Sequence, residues 1–290
     1  MSTALIATAC VCCGGQNLDK SPAILMPFVA HRAFGWAPVT IDASWGLKTV
    51  PEGRAYSLCN SLLCRDCGLV FLDIRFDNYA MAKLYENYRG EAYTLLRDSY
   101  EPGYRLRNEG FQYAVTYLSD IEDFLRPLLP KLPKILDWGG DTGINTPFKL
   151  QSDCIHVFDI SAVSPLPGVV RVNLEEVMNN RYDLLVCSNV LEHTPYPAAV
   201  LDEISRVMDE DAVLYLEVPH EAHMRNYSTG FERLKAKRHW HEHVNFYTAS
   251  ALESLIHESG FDVIRFEERK FVLDAVEFHQ FFVACKLTRS

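Results

Sequence analysis

The chain has 290 residues, of which 48% are hydrophobic, so it can form one large domain with a smaller one, or two modest domains. Its 38 acidic residues outnumber 28 lysines and arginines, and the formal net charge is −10. Because nucleic-acid binding rests on cationic side chains that displace counterions, this charge argues against a broad nucleic-acid-binding face.

The N-terminus and the apolar runs bear on where the protein works. Residues 1–9 lack the basic start and the apolar core of a signal peptide. No apolar run approaches the ~20 residues of a membrane-spanning helix. We therefore expect a cytoplasmic protein with no membrane span and no nucleic-acid partner.

Residues 1–73 are rich in Cys, Gly and Pro and form the first predicted unit. They contain two C-x-x-C-G sequences, whose thiols belong to Cys10, Cys13, Cys64 and Cys67. Two residues between cysteines let both sulfurs reach one tetrahedral ion, and the glycine frees the turn so that backbone amides point at the thiolates. The two pairs predict a module that binds one structural zinc ion.

Other states of the cysteines are less consistent with the sequence. The nine cysteines are an odd number, six of them lie in the first 67 residues, and no secretory signal precedes them. These features favour reduced thiols over disulfides. A redox C-x-x-C pair is the alternative, but neither pair follows a strand in a βαβ unit. Cys12 and Cys59 remain as spare, buried thiols.

The second predicted unit, residues 74–130, is a linker and helical segment rich in Tyr and charged residues. It ends in a predicted amphipathic helix whose apolar residues recur at helical spacing: Phe111, Val115, Leu118, Ile121 and Leu125. Pro127 and Pro130 end this helix.

In the third unit, residues 131–290, short apolar runs alternate with helical segments, as is typical of a parallel sheet covered by helices. The predicted strands cover 134–138, 155–159, 169–172, 183–188, 212–218, 261–266 and 277–286. Only a short polar turn separates the last two strands, which predicts an antiparallel hairpin.

Two helices of the third unit have clear sequence signals. The first has an apolar face made of Val200, Leu201, Ile204, Val207 and Met208. The second is predicted to begin at Ser250, with Glu253 at the spacing of a capping box, and to end at Gly260.

The first strand of this unit leads into a glycine-containing loop, residues 139–143. Gly139, Gly140 and Gly143 permit a tight turn and let backbone amides approach a ligand. The second strand ends at Asp159, twenty residues after Gly139, where a carboxylate can accept hydrogen bonds from both ribose hydroxyls of an adenosine cofactor. A third spaced glycine is absent, so the loop suits a nucleoside without phosphates, such as S-adenosylmethionine (SAM). The alternative is a tight turn with an exposed Asp.

Several segments resemble the motifs of class I SAM-dependent methyltransferases. They are ILDWGGDTG from residue 135, VFDIS from residue 157, DLLVCSNVLEH from residue 183 and VLYLEVP from residue 213. The resemblance implies a Rossmann-like α/β core with a mostly parallel seven-stranded sheet and an antiparallel last strand. It implies that SAM contacts Asp137, Gly139, Gly140, Asp141, Gly143, Asp159, Ile160 and Asn189. Asp141 stands where the family usually has a glycine.

A cysteine module before such a core resembles the sugar C-methyltransferases, which act on nucleotide-linked deoxyketosugars. The segment HWHEHVNFY from residue 239 strengthens this resemblance. The resemblance implies an active site that contains Glu242, His243, His193 and a linker tyrosine. We favour Tyr88 or Tyr93 for this tyrosine, out of the five in the right stretch: Tyr85, Tyr88, Tyr93, Tyr100 and Tyr104. Those enzymes continue into a further domain after the last core strand.

The three histidines at 239, 241 and 243 have more than one interpretation. In an extended segment, alternation would place all three on one face. We expect His243 to act as a general base that Glu242 orients. A second metal site and a solvated loop are the alternatives.

The resulting hypothesis is an enzyme that transfers a methyl group from SAM to a small polar acceptor, a nucleotide-activated ketosugar, by C-methylation. An O- or N-methyltransferase of a glycan or secondary metabolite is one alternative. A non-catalytic protein that binds SAM and zinc is the other.

Overall fold

The computed structural model describes residues 5–110, 113–129, 132–161, 163–273 and 276–288. The N-terminal part begins with a short strand and continues through mainly extended structure. Its elements are β1 (Leu5–Ile6), β2 (Leu18–Leu25), α1 (Pro27–Phe34), β3 (Val39–Ile41), β4 (Gly53–Ala55), β5 (Leu58–Cys64), β6 (Val70–Leu72) and β7 (Ile74–Arg75). A 3-10 turn, Ala43–Trp45, lies between β3 and β4, which pair with each other.

The linker that follows is helical. It contains α2 (Asn78–Tyr85), α3 (Glu91–Tyr100), α4 (Tyr104–Gly110) and α5 (Leu118–Leu125). The side chain of Asp77 caps α2 by accepting from the amide of Ala80. The helix predicted from 111 to 125 is shorter than expected, because α5 begins at Leu118 and Val115 precedes it. Phe111 lies outside the described residues.

The remaining elements form the largest part of the molecule. They are β8 (Ile135–Trp138), β9 (Ile155–Phe158), β10 (Val170–Arg171), α6 (Leu174–Met178), β11 (Tyr182–Ser188), α7 (Pro197–Ser205), β12 (Met208–Pro219), α8 (Ala222–Arg225), α9 (Gly230–Ala236), β13 (His239–Trp240), β14 (Asn245–Phe246), α10 (Ala249–Glu258), β15 (Phe261–Leu273) and β16 (Val276–Leu287). None of the described helices has the length and apolar character needed to span a bilayer.

A seven-stranded sheet with the order β10-β9-β8-β11-β12-β16-β15 dominates the fold. The first five strands are parallel, and β16 is antiparallel to both β12 and β15. The predicted Rossmann-like fold and the terminal hairpin are thus confirmed. The central strands β8 and β11 are almost continuously apolar because both faces of a parallel sheet are covered.

A second, five-stranded sheet has the order β13-β2-β5-β6-β14. Both of its edge strands come from the C-terminal half of the chain: β13 pairs with β2, and β14 pairs with β6. Residues 241–244 connect these two edges. The segment around Glu242 is therefore held by the N-terminal sheet, and α9, which precedes it, packs on β2, β5 and β6 of the same sheet.

The apolar core of the large sheet continues into the cysteine-rich part of the chain. Leu185 and Leu214 of the sheet share a buried cluster with Leu252 of α10 and with Cys10 and Cys64. The capping residue of α10 lies two residues earlier than predicted, because Thr248, and not Ser250, accepts from the amide three residues on. The hydroxyls of Thr248 and Ser250 also donate to the carbonyl of Cys67.

Candidate active site and cysteine cluster

The loop after β8 makes a tight turn at the carboxyl end of that strand. Gly139 and Gly143 both have a φ of 79°, and the Gly139 amide donates to the carbonyl of Phe158 at the end of β9 (2.7 Å). A Cβ at Gly140 would lie 2.4 Å from the carboxyl carbon of Asp137. The loop can therefore lie against that carboxylate only with glycine at position 140.

Asp159, which follows β9, holds the 139–143 loop in place through hydrogen bonds. Its carboxylate accepts from the backbone amides of Asp141 (2.9 Å) and Ser161 (2.6 Å). Asp141 has a φ of 53°, a left-handed conformation that Asp tolerates better than most residues, so the turn forms although glycine is replaced. A carboxylate offers about four lone-pair sites, and the half-buried Asp159 can still accept from a ligand.

An open cleft lies next to this loop. Ile160 is 62% exposed at its border. The cleft measures about 360 Å³, and its other lining residues come from α2 and the turn after it: Tyr79, Ala82, Lys83, Tyr85, Glu86 and Asn87. The ion pair between Arg89 and Asp141 (3.2 Å) also ties this turn to the glycine loop. The linker helices thus form one wall of the cleft.

The carboxylates of Asp137 and Glu217 are buried near the carboxyl ends of β8 and β12. Asp137 accepts a hydrogen bond from the hydroxyl of Thr146, and burial raises the pKa of Asp137 to about 7. Glu217 on β12 accepts from the hydroxyl of Tyr117 (2.8 Å) and the amide of Asn189 (3.2 Å). Burial raises the pKa of Glu217 as well, although these donors oppose that effect. Asn189 is thereby fixed directly after β11.

Glu242 lies at the centre of a buried charge network. The hydroxyl of Tyr93 donates to one of its oxygens (2.6 Å), and Arg97 contacts the other (2.9 Å). Burial alone would raise the pKa of Glu242, but the hydrogen bond from His241 and the charge of Arg97 hold it below its usual value. His241 also bonds to Glu101. The network joins the linker helix α3 to the 241–244 segment.

His243 is paired with a carboxylate that the sequence analysis did not consider. Its Nδ1 lies 2.6 Å from Glu221, which follows β12. Burial would lower the pKa of His243, but the bond to Glu221 and the charge of nearby Glu192 raise it. The expectation that Glu242 orients His243 is wrong, because both oxygens of Glu242 are engaged by α3.

His193 lies beside His243, with their ring centroids 4.5 Å apart. Its Nδ1 is 3.0 Å from the hydroxyl of Tyr85, and burial together with His243 lowers its pKa to about 3. The preceding residue, Glu192, is 1% exposed, and burial raises its pKa to about 7. Neither oxygen of Glu192 has a hydrogen-bond partner among the described residues.

Two further residues that the sequence singled out, Tyr88 and His239, have different surroundings. The ring of Tyr88 packs edge-on against Tyr85 and Tyr93, and Arg89 lies over it. His239 is exposed on β13. The expectation that the histidines at 239, 241 and 243 share one face is wrong, because hydrogen bonds direct His241 to Glu101 and His243 to Glu221.

The two cysteine pairs meet in one cluster. The Sγ atoms of Cys10, Cys13, Cys64 and Cys67 all lie within 4.8 Å of one another. The Cys10–Cys67 and Cys13–Cys64 separations are both 3.6 Å. Gly14 and Gly68 have positive φ, and the amide of Cys12 points at the Cys10 sulfur (3.5 Å). The antiparallel pairing of β2 with β5, which sets Leu18 opposite Cys64, brings the pairs together.

Comparisons with known proteins bear on what this architecture does. A family model described as a methyltransferase domain matches residues 111–265, more than half of the chain. The chain belongs to this methyltransferase domain family. Its activity is therefore SAM-dependent methyl transfer. A comparison with curated proteins found no match to the sequence of this methyltransferase.

Solved structures of other methyltransferases are similar to part of this one. A Burkholderia thailandensis 1,6-didemethyltoxoflavin-N1-methyltransferase is 16% identical, with 68% of this chain and 89% of that chain covered and a TM-score of 0.48. The magnesium protoporphyrin IX methyltransferase of Synechocystis PCC 6803 is 15% identical, with 62% and 85% covered and a TM-score of 0.41. The glycopeptide N-methyltransferase MtfA is 13% identical, with 59% and 90% covered and a TM-score of 0.43. No acceptor is inferred from them.

Sequence reasoning missed Glu192, Glu221 and Arg97 around the histidines of this methyltransferase, and it named Tyr85 only as one of five linker tyrosines. Glu192 and Glu221 follow β11 and β12 closely, and the carboxyl ends of parallel strands are where such folds bind ligands, so their positions were a usable signal. Tyr85 and Arg97 come from linker helices and have no comparable signal, because their contacts depend on how those helices dock.

Proposed function

We propose that this methyltransferase transfers the methyl group of SAM to a carbon next to a carbonyl in a nucleotide-linked deoxyketosugar. The observation that carries the proposal is the bond between His243 Nδ1 and Glu221 (2.6 Å). A carboxylate that accepts the Nδ1 proton fixes the imidazole tautomer and leaves the Nε2 lone pair to receive a proton. His243 is then the base, and Glu221 is its positioning residue.

His193 supplies the complementary function. When the hydroxyl of Tyr85 donates to His193 Nδ1, the proton of that neutral imidazole lies on Nε2, which can donate a hydrogen bond to the acceptor carbonyl and stabilise the enolate oxygen. The pair then presents one acceptor and one donor, which is the requirement for forming an enolate. An oxygen acceptor needs only the base.

The proposed reaction balances without a further reactant. His243 takes the α-proton, and the electrons of the carbon–hydrogen bond form the enolate. The enolate carbon attacks the methyl group of the sulfonium, whose carbon–sulfur bond breaks to leave S-adenosylhomocysteine (SAH). Since the methyl group is already activated, alignment and deprotonation are the main tasks of the protein. Glu242 acts as a positioning residue, because its bonds to α3 fix the segment that carries His243. Tyr88 packs beside these residues in the aromatic cluster with Tyr85 and Tyr93.

The cofactor is proposed to bind across the ends of β8, β9 and β11. Asp159 accepts from the ribose hydroxyls, and Ile160 offers apolar surface to the adenine beside the cleft. The 139–143 loop, including Gly139, Gly140, Asp141 and Gly143, surrounds the methionine portion. Asp137 and Asn189 support this loop from behind.

The four-cysteine cluster is proposed to hold one structural zinc ion. A tetrahedral ion with Zn–S bonds of about 2.3 Å separates its sulfurs by about 3.8 Å. The 3.6 Å separations of the Cys10–Cys67 and Cys13–Cys64 pairs fit this geometry. Four thiolates fill the coordination sphere, so the ion would stabilise the fold and would not take part in the reaction.

Hydrogen exchange tests the proposed chemistry without methyl transfer. The protein with SAH and a nucleotide-linked deoxyketosugar in heavy water should exchange the α-hydrogen of the sugar. His243→Ala should abolish this exchange but bind SAH as before. His257→Ala, which changes an exposed histidine on α10, is the matched control and should exchange at the wild-type rate. Methyl transfer without α-exchange, unaffected by His243→Ala, would instead identify an O- or N-methyltransferase.

A further inference from the structure

The proposed base, His243, and two neighbouring side chains lie close enough together to share one ligand. One ligand atom each from Glu192, His193 and His243 lies within 4.8 Å of the other two. The Oε1 atom of Glu192 is 3.8 Å from Nε2 of His193. This group is separate from the cysteine cluster, and it shares only His243 with the 239–243 segment.

Both imidazoles are oriented as metal-binding imidazoles are. Histidine ligands usually hold their second ring nitrogen in a hydrogen bond to a carboxylate or another polar group, which fixes the ring and raises its basicity. Here Nδ1 of His243 is held by Glu221 (2.6 Å), and Nδ1 of His193 is held by Tyr85 (3.0 Å). The Tyr85 hydroxyl can accept as well as donate, so both Nε2 atoms can offer a lone pair.

Glu192 provides the second, independent observation. Its side chain is 1% exposed, yet neither carboxylate oxygen has a hydrogen-bond partner among the described residues. Buried carboxylates are normally paired, or they coordinate a metal ion. An ion between Glu192 and the two imidazoles would satisfy this carboxylate.

The geometry points to a second metal site, in which Glu192, His193 and His243 bind one divalent transition-metal ion. Two imidazoles and one carboxylate suit ions of the zinc, cobalt and nickel group. Ligand atoms about 2.1 Å from a tetrahedral ion are about 3.4 Å apart, so the three side chains need to draw together only slightly. Three protein ligands leave a position open towards the acceptor.

This site has a consequence for catalysis that rests on the proposed function. The Nε2 lone pair of His243 cannot bind a metal ion and receive the α-proton at the same time. A bound ion therefore inhibits α-hydrogen exchange in the acceptor but leaves SAH binding unchanged, because the 139–143 loop and Asp159 take no part in the site.

Cobalt binding tests the site directly. The protein, with its cysteine cluster already filled with zinc, is titrated with Co²⁺. We expect one further equivalent, with visible absorption but no thiolate-to-cobalt charge-transfer band. Glu192→Gln should weaken this binding at least tenfold. Glu210→Gln, which removes an exposed carboxylate of β12, should bind Co²⁺ as the wild type does.

A measurement on the unaltered protein guards against misfolding of the Glu192 variant. Electron spin-echo modulation of bound Cu²⁺ should show two imidazole nitrogens. No further equivalent in the wild type, equal affinity in Glu192→Gln, or no imidazole on the ion would each overturn the site. Metal binding is measured without the sugar, so failure of the exchange assay alone would contradict the proposed function and not the metal site.

Discussion

The two halves of the candidate active site are built by different rules. On the cofactor side, Asp137, Asp159 and Asn189 lie in or directly after three neighbouring parallel strands. On the acceptor side, Tyr85 lies in a linker helix, while His193, Glu221 and His243 lie in three separate loops. The first half follows from strand order alone, and the second requires the docking of two sheets and a helical linker.

The comparison shows why substrate chemistry is harder to infer than cofactor chemistry. On the cofactor side, the bonds that Asp159 accepts from the amides of Asp141 and Ser161 form within tight turns at the strand ends. The acceptor side depends on long-range pairs such as Tyr93 with Glu242 and Tyr85 with His193. Each of the following experiments separates the two halves.

Loss of the cysteine cluster should have the largest effect. Cys64→Ala should reduce zinc from one ion per chain to none and destabilise the five-stranded sheet that holds residues 241–244. Binding energies of about 10–16 kcal/mol in small zinc modules show how strongly metal and folding are coupled. Elemental analysis and thermal unfolding measure both effects. Cys59→Ala, another buried cysteine, is the control and should keep its zinc; zinc-free wild-type protein would contradict the assignment.

Disruption of the buried charge network should come next. Glu242→Ala leaves Arg97 and His241 without their shared carboxylate, and breaking a buried ion pair costs about 3–5 kcal/mol. Denaturant unfolding should show this loss, while calorimetry should show unchanged SAH affinity because the cofactor side is separate. Arg97→Met combined with Glu242→Ala should lose less than the sum of the single changes. Additive losses would mean that the pair is not coupled.

A change on the cofactor side should affect binding and leave the acceptor side intact. Asp159→Ala removes hydrogen bonds to a charged group, worth about 1.5–3 kcal/mol each, so SAH should bind at least about tenfold more weakly. Asp159→Asn keeps one acceptor oxygen and should lose less. Calorimetry measures both variants. Equal SAH affinity in wild type and Asp159→Ala would remove this residue from the cofactor site.

The smallest predicted effect concerns the pH dependence of stability. The pKa of buried Asp137 is about 7 in the folded protein, above its usual value, so the folded state holds a proton that the unfolded state has released. The stability from this proton is lost as the pH rises from about 4 to about 7, and about 1 kcal/mol of the loss falls between pH 6 and pH 8. Urea unfolding should show this difference in the wild type and a smaller one in Asp137→Asn. If the free energy of unfolding varied with pH equally in both proteins, the raised pKa of Asp137 would be contradicted.

The sequence determined the features that depend on local pattern. Apolar runs predicted where strands lie along the chain, the glycine loop with Asp159 predicted a nucleoside cofactor, and two C-x-x-C-G sequences predicted the meeting of Cys10, Cys13, Cys64 and Cys67. Such features can be predicted because the conformation of a strand, a glycine turn or a C-x-x-C-G turn depends mainly on its own residues. The helix predicted from 111 to 125 shows the limit, since α5 begins only at Leu118 although Val115 continues the same apolar spacing.

Only the tertiary structure decided the partners of the histidines. Sequence proximity favoured Glu242 as the carboxylate beside His243, yet Glu242 faces α3, and Glu221 holds the imidazole. Residues 241–244 connect two edge strands, and their side-chain directions follow from long-range bonds: His241 and Glu242 face the α3 side, while His243 faces Glu221. Tyr85 reaches His193 only because the linker packs over the strand ends. Long-range packing, which no local pattern encodes, therefore sets the chemistry of the acceptor side.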